Sequence, residues 1–157
     1  MALFTGYRKI YWEGFVIKDL PRKFSILPII AQNIATWQTV HFQDSDTLEN
    51  LAHDYYGESS LHWVIMAMNG IVDPYYDLPL RPMELHRWID MLYDNRHGTH
   101  HYEWEGLRVD GTSQNKYPIT NEEYEIAMNE TKRSIRILDA GFVPQVKSEM
   151  KMLLSRN

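Results

Sequence analysis

Residues 44–76 read DSDTLENLAHDYYGESSLHWVIMAMNGIVDPYY, and the first half of this stretch has the pattern of a short amphipathic helix. Asp46 is the predicted N-cap, and Glu49 three residues later completes a capping box with Asp in place of Ser or Thr. Gly57 is placed to end the helix. The helical spacing gives one apolar face, formed by Leu48, Leu51, Ala52 and Tyr55.

A second helix is predicted after this turn, with Ser59 or Ser60 as its cap and Asn69-Gly70 as its end. Its apolar face consists of Leu61, Val64, Ile65 and Met68. Before the first helix, residues 36–42 (TWQTVHF) alternate and are rich in aromatic and β-branched side chains, which is typical of a strand. The predicted order is strand, polar loop, helix, tight turn, helix and loop.

This order, with Asp46-Thr47-Leu48 opening the first helix and Asn69 closing the second, resembles the lysin-motif (LysM) module. A longer string is similar to the baseplate wedge protein 53 family of contractile-tailed, T-even-type phages, which carries an embedded LysM-like module. That string consists of Tyr56-Gly57, Leu61-His62-Trp63-Val64-Ile65, Met68-Asn69 and Asp73-Pro74-Tyr75-Tyr76. Three pieces near the C-terminal end are similar to the same family: Tyr124-Glu125, Asn129-Glu130-Thr131-Lys132-Arg133 and Ile135-Arg136-Ile137-Leu138.

The resemblance implies a structural subunit of a contractile phage tail baseplate. Such a subunit joins wedge components and adjacent wedges around the hub through protein–protein contacts. The implied partners are other baseplate wedge and hub proteins of the same phage, with six copies or a multiple of six in the baseplate. The implied location is the virion, after assembly in the host cytoplasm. No enzymatic activity and no cofactor are expected.

The composition fits a folded chain and argues against several function classes. Of the 157 residues, 44% are hydrophobic and 13% aromatic, which argues against a disordered chain. A net charge of −5 without a long basic run argues against nucleic acid or a membrane surface as partner. The lack of cysteine removes disulfides, thiolate catalysis and zinc–thiolate sites. Neither a signal peptide nor an apolar run of bilayer length is visible.

The predicted fold class is α+β, with three parts along the chain. Residues 1–35 form an N-terminal docking arm, residues 36–80 the LysM-like strand–helix–helix core, and residues 81–157 a C-terminal extension packed on it. The extension begins with a helix from Pro82, whose predicted apolar face is Leu85, Trp88, Ile89 and Leu92. A β-hairpin around Gly106 follows.

The last part of the extension is predicted to be helix, strand and helix. The helix opens with the capping box Thr120–Glu123 and has Tyr124, Ala127 and Met128 as its apolar stripe. Ser134–Leu138 alternates like a strand. Val143, Val146, Met150 and Leu153 have the spacing of a final amphipathic helix.

Aromatic side chains in loops and on the arm are the candidate protein interface, because tyrosine and tryptophan combine apolar area with a polar group. In the arm, docking on a neighbour and packing on this chain remain equally open. Tyr56 is predicted to point outward, and Trp63 to face a neighbouring protein or the third helix. The candidate interface residues are Tyr11, Trp12, Phe15, Tyr56, Trp63, Asp73, Pro74, Tyr75 and Tyr76.

The alternative function is that of a peptidoglycan-binding LysM module of a tail-associated lysis protein. In LysM modules the glycan lies between the strand-to-helix loop and the loop after the second helix. The matching residues here are Gln43, Asp44, Asp46, Asn69 and Asp73. However, residues 77–82 (DLPLRP) replace the usual Gly-x-x-Leu entry to the second strand, which puts sugar binding in doubt.

Two further patterns have a catalytic or metal-binding interpretation. His97, His100 and His101 have a spacing that suits a transition metal, but a solvated turn is the favoured interpretation. Glu103 and Glu105 are a carboxylate pair of the kind that glycosidases use. An exposed strand face around a buried Trp104 is favoured for them.

Overall fold

The computed structural model describes residues 8–18 and 36–155 and contains both helices and sheets, which confirms the α+β class. In chain order the elements are β1 (Lys9–Trp12), β2 (Phe15–Lys18), β3 (Trp37–His41), α1 (Leu48–Tyr56), α2 (His62–Asn69), α3 (Pro74–Asp77), α4 (Pro82–Leu92), β4 (Thr99–Trp104), β5 (Leu107–Val109), β6 (Tyr117–Thr120), α5 (Asn121–Thr131), β7 (Ser134–Leu138) and α6 (Val143–Ser155).

The described residues form two compact units. The first unit combines the residues up to Asp73 with those from Ile135 onward, and the second is Pro74–Ser134. The strands β7 and β3 pair in a two-stranded sheet, so the first unit is closed by a strand from the far end of the chain. The three-part division of the sequence, at residues 35 and 80, remains a prediction.

Most of the described core lies in the first unit. Sixteen of the eighteen buried apolar residues belong to it, whereas Leu85 and Ile89 are the two in the second unit. The predicted faces of α1 and α2 are buried at Leu48, Leu51 and Ala52 and at Leu61, Val64, Ile65 and Met68. The predicted face of α6 is buried at Val143, Val146 and Met150. The second unit therefore keeps more of its apolar surface exposed.

The start of α1 corrects one prediction. Thr47, not Asp46, is the N-cap, because the Thr47 hydroxyl accepts a hydrogen bond from the Asn50 amide at 3.1 Å. The Asp46 carboxylate instead accepts one from the Gln43 amide at 2.7 Å and closes the loop before the helix. Gly57 ends α1 with a φ of 71°, as predicted.

Two hairpins have the same turn sequence, Trp-Glu-Gly. Glu13-Gly14 joins β1 to β2, and Glu105-Gly106 joins β4 to β5. All four turn residues have a positive φ, between 47° and 85°. Such a two-residue turn matches the twist of paired strands, and it is easiest for glycine to adopt. The first hairpin lies in the segment for which the sequence predicted only an arm.

In the second unit, β4 lies between β5 and β6 in an antiparallel sheet. The strand β6 was not predicted. It contains Pro118 and lies at the sheet edge, where proline is tolerated. The Thr120–Glu123 capping box is present at the start of α5. The predicted apolar faces of α4 and α5 are wrong in part, because Leu92, Ala127 and Met128 are exposed.

Candidate functional site

An aromatic group at the start of the second unit forms the wall of a groove. Tyr75 and Tyr76 lie in the short helix α3 and are 64% and 55% exposed. Their rings meet edge to face with centroids 5.0 Å apart, and Tyr76 meets Trp88 of α4 in the same way at 6.1 Å. Such edge-to-face pairs hold aromatic rings in a fixed arrangement at modest energy. Three aromatic rings are thus presented together.

The groove beside these rings has a volume of about 250 Å³. Leu80 and Leu85 contribute to its floor, and α5 supplies the opposite wall with Tyr124 and Met128. The side chain of Asn129 binds both backbone groups of Leu80: Leu80 N donates to its oxygen at 2.7 Å, and its amide donates to the carbonyl at 3.0 Å. This clamp fixes the chain that connects α3 to α4.

Glu125, which lines the groove, binds two aromatic side chains. One of its oxygens accepts a hydrogen bond from Trp88 Nε1 at 3.3 Å, and the other accepts from the Tyr93 hydroxyl at 2.9 Å. Partial burial, together with the nearby Glu125 carboxylate, raises the pKa of Tyr93. The carboxylate thus orients Trp88 and holds Tyr93 as a hydrogen-bond donor. No sequence pattern indicated this role for Glu125.

The histidine motif is not a solvated turn throughout, which corrects the favoured interpretation. His97 is exposed, but His100 and His101 lie on β4 and are partly buried. His101 Nε2 donates to Glu103 at 2.9 Å, and His101 Nδ1 lies 2.8 Å from His100 Nδ1, within hydrogen-bond distance. The His100 ring stacks on Tyr124 with a centroid distance of 3.8 Å.

A metal or glycosidase site is not assembled from these residues. In residues 8–18 and 36–155, no group of three or more His, Cys, Asp or Glu side chains is placed to hold a metal ion. Glu103 is paired with His101, while Glu105 is exposed in the hairpin turn. Trp104, predicted to be buried between them, is 41% exposed.

The histidine pair predicts a dependence of stability on pH. Burial, His101 and Arg108 lower the pKa of His100, and Glu125 opposes them. The folded state therefore binds fewer protons than the unfolded state, whose histidine pKa is about 6.5. We expect the free energy of unfolding to be highest above that pH and to fall as the pH drops below it. Urea titrations at several pH values measure this.

The matched variants for this test are His100→Gln and His53→Gln. His100→Gln removes the titrating ring and should reduce the loss of stability at low pH. His53 is an exposed histidine on α1 and serves as the control, so His53→Gln should leave the pH dependence unchanged. An equal pH dependence in the wild type and His100→Gln would contradict the assignment.

The hairpin of β1 and β2 carries the other predicted aromatic residues. Tyr11, Trp12 and Phe15 are 82%, 62% and 71% exposed. Trp12 pairs with Phe15 and Ile10 with Ile17, and residues paired across strands share one face. That face is therefore entirely apolar.

Tyr56 does not point outward as predicted, and Trp63 is not exposed to a neighbouring protein. Trp63 is only 2% exposed, and the other alternative, that it faces the third helix, stays a prediction. Tyr56 is half-buried, its hydroxyl oxygen is shielded from solvent, and burial raises the pKa of its phenol. Asp73 and Pro74, just before the two tyrosines, are exposed.

The residues of the alternative glycan groove are largely engaged within the chain. Asp46 binds the Gln43 backbone. Asn69 binds Arg136 of β7 twice: its amide donates to the Arg136 carbonyl at 2.7 Å, and its oxygen accepts from the Arg136 amide at 2.8 Å. Asp44 and Asp73 are exposed.

None of the described helices has both the length and the apolar character needed to cross a bilayer.

Comparison with models of known protein families identifies part of the chain. Residues 26–87 match a family model described as Base plate wedge protein 53. The resemblance seen in the sequence is thereby confirmed over these residues, which amount to less than half of the chain. No curated protein matches the chain. The matched residues include α1, α2, α3 and the first half of α4, and hence Tyr75 and Tyr76.

Proposed function

We propose that the chain is a structural subunit of a contractile phage tail baseplate that joins wedge components, and adjacent wedges around the hub, by protein–protein contacts. The observation that carries this proposal is the match of residues 26–87 to the base plate wedge protein 53 family. Other wedge and hub proteins of the same phage are the proposed partners. The proposed location is the tail baseplate, after assembly in the host cytoplasm.

The proposed contacts use the two exposed aromatic surfaces. A two-stranded hairpin is marginally stable alone, and the one formed by β1 and β2 exposes an entire apolar face. Burying such a face against a partner stabilises both the hairpin and the complex. The groove of Tyr75, Tyr76 and Trp88 offers the residue types that dominate binding energy in interfaces. No bond-making step is part of this function.

We also infer a LysM-like arrangement in the first unit. The order β3, α1, α2 and β7 gives a strand–helix–helix–strand unit, with the two strands paired. The second unit, Pro74–Ser134, is then an insertion between the second helix and the second strand. This interpretation accounts for the missing Gly-x-x-Leu entry after Asn69, because the partner strand comes later in the chain.

The alternative, peptidoglycan binding, is supported less well. Asn69 and Asp46 would have to be available to sugar hydroxyls, yet both already bind the backbone of this chain. Their known contacts are structural, and buried amide groups are costly to leave without partners.

The test of the proposed function is co-expression with the other tail proteins of the same genome, followed by size-exclusion chromatography with light scattering. A stoichiometric complex with a tail protein is expected. A chain that stays alone with every tail protein but sediments with purified cell wall would contradict the proposal and favour the glycan-binding alternative.

Within such a complex, Trp12→Ala is expected to weaken binding. Truncating a central interface tryptophan typically costs about 2 kcal/mol or more, which is roughly a thirtyfold loss of affinity. Titration of the purified partner by calorimetry measures the loss. Trp104→Ala is the matched control, because Trp104 is an exposed tryptophan in the same Trp-Glu-Gly sequence. Equal affinities for the two variants would exclude the hairpin from the interface.

A further inference from the structure

The aromatic groove is double. On the other side of Trp88, a second depression of about 210 Å³ is lined by Glu84, Arg87 and Met91, and it shares Tyr75, Leu80 and Trp88 with the first. Each volume lies below the range of about 300–1,000 Å³ typical of small-molecule sites. Each depression suits one large apolar side chain better than a cofactor. Because the two depressions share Tyr75, Leu80 and Trp88, one continuous partner segment can reach both.

The charges of the double groove favour an acidic partner. Both oxygens of Glu125 accept hydrogen bonds from Trp88 and Tyr93, and Glu84 accepts one from the Arg81 amide at 3.3 Å. Lys132 donates to the Tyr76 carbonyl at 2.7 Å, whereas Arg87 has no hydrogen-bond or carboxylate partner among the residues that the structure describes. The partners of Glu84, Glu125 and Lys132 are all neutral groups. Among the described charged side chains that line the double groove, Arg87 is thus the one that lacks a partner, and an acidic ligand would supply it.

We propose that this double groove binds an amphipathic segment of a partner protein that inserts two apolar side chains, one on each side of Trp88, and places carboxylates against Arg87 and Lys132. The inference deepens the proposed function, on which it rests for the source of the segment, by naming the chemistry of that partner. Arginine and lysine beside an apolar groove are an arrangement that steers and orients acidic segments. A basic segment would leave both cations facing like charge.

The test uses two synthetic peptides with the same helical stripe of leucine and phenylalanine. One carries glutamate beside the stripe, and the other carries lysine at the same positions. Anisotropy of the dye-labelled peptides measures binding to the full chain at low salt. The acidic peptide is expected to bind about fivefold or more tighter, and added salt should reduce this difference.

Variants assign the effect to the groove. Arg87→Glu combined with Lys132→Glu should reverse the preference between the peptides, and Tyr75→Ala should weaken binding of the acidic one. The control is Arg108→Glu combined with Lys116→Glu, which makes the same change of charge on β5 and on the loop before β6 in the same unit. Circular dichroism verifies that each variant is folded.

The outcomes separate this inference from the proposed function. Saturable binding of neither peptide, equal binding of both, or an unchanged preference in the charge-reversed groove variant would overturn the inference. Selective binding of the acidic peptide by a chain that joins no tail protein would support the groove but contradict the baseplate proposal. A tail complex that forms equally well with the groove variants would support the baseplate proposal but contradict the groove as its binding site.

Discussion

Trp63→Ala is expected to lower the free energy of unfolding by about 3–5 kcal/mol, since removing a buried aromatic side chain loses its transfer energy and leaves a cavity. Trp63 is 2% exposed, and its neighbours Val64 and Ile65 are fully buried. A loss of this size is a large part of the roughly 5–15 kcal/mol that stabilises a typical domain. Urea denaturation followed by far-UV circular dichroism measures it.

Trp12→Ala is the control for this experiment. The same change at a tryptophan 62% exposed should alter the unfolding free energy by less than about 1 kcal/mol. The two variants thus separate a folding role from a binding role. If Trp63→Ala were as stable as Trp12→Ala and instead lost the tail complex, the surface position predicted from the sequence would be correct after all.

The prediction that Trp63 could face a neighbouring protein rested on the geometry of a one-sided helix. Trp63 and Ile65 are two residues apart in α2, which places them about 200° apart around the helix axis. One amphipathic face cannot include both, so a one-sided helix would expose Trp63. Both are buried, because α2 is covered on more than one side in the first unit. A single sequence does not reveal how many faces of a helix are covered.

Local signals predicted the helices well, because caps and spacing act within a few residues. Gly57 ends α1, and the Thr120–Glu123 capping box starts α5, both as predicted. The predicted N-cap of α1 was wrong by one residue. Asp46 and Thr47 both suit the position, but the Asp46 carboxylate accepts a hydrogen bond from the Gln43 amide and Thr47 caps the helix. Which of two suitable residues caps a helix depends on the conformation of the preceding loop, and sequence patterns do not predict that conformation.

Strands were harder to predict, because their partners lie far along the chain. The pairing of β3 with β7 spans the entire second unit. The hairpin of β1 and β2 showed no alternation of apolar and polar residues, because apolar side chains stand on both of its faces. Its Trp-Glu-Gly turn was a usable signal, since the same three residues form the turn between β4 and β5.

Only the part of the candidate site that is contiguous in sequence was predicted. Tyr75 and Tyr76 follow one another in the sequence and were identified as interface residues, which remains a prediction. The rest of the groove comes from separate elements: Trp88 from α4, Glu125 from α5, and Lys132 from the C-cap of α5. Their contribution depends on how these elements pack within the second unit, and no spacing rule connects them.

Two asparagines perform the same structural task in the two units. Ala67-Met68-Asn69 closes α2, and Ala127-Met128-Asn129 lies near the end of α5. Each asparagine side chain binds the amide and the carbonyl of one distant residue, Arg136 and Leu80 respectively. A side-chain amide can bind a backbone in this way, as a neighbouring strand would, because it has both N–H donors and an acceptor oxygen.

Asn69→Ala is expected to lower the free energy of unfolding by about 2–3 kcal/mol, because it leaves the Arg136 amide and carbonyl without their partner in a partly buried place. It also removes the bond from Asn69 to the Ile65 carbonyl. The loss should concentrate in β7, so hydrogen exchange of the Arg136 amide should accelerate together with the fall in stability.

Asn50→Ala is the matched control, because Asn50 is an exposed asparagine in α1 whose backbone amide, not its side chain, binds Thr47. It should change the free energy of unfolding by less than about 0.5 kcal/mol.

Asn69→Asp tests the two hydrogen bonds to Arg136 separately, since a carboxylate still accepts from the Arg136 amide but cannot donate to the Arg136 carbonyl. Repulsion between this carboxylate and the two carbonyls should make Asn69→Asp less stable as the pH rises through its pKa. If Asn69→Ala matched Asn50→Ala, the bonds from Asn69 to Arg136 would contribute little to stability, and β7 would be held by its pairing with β3 and by its buried apolar side chains Ile135, Ile137 and Leu138.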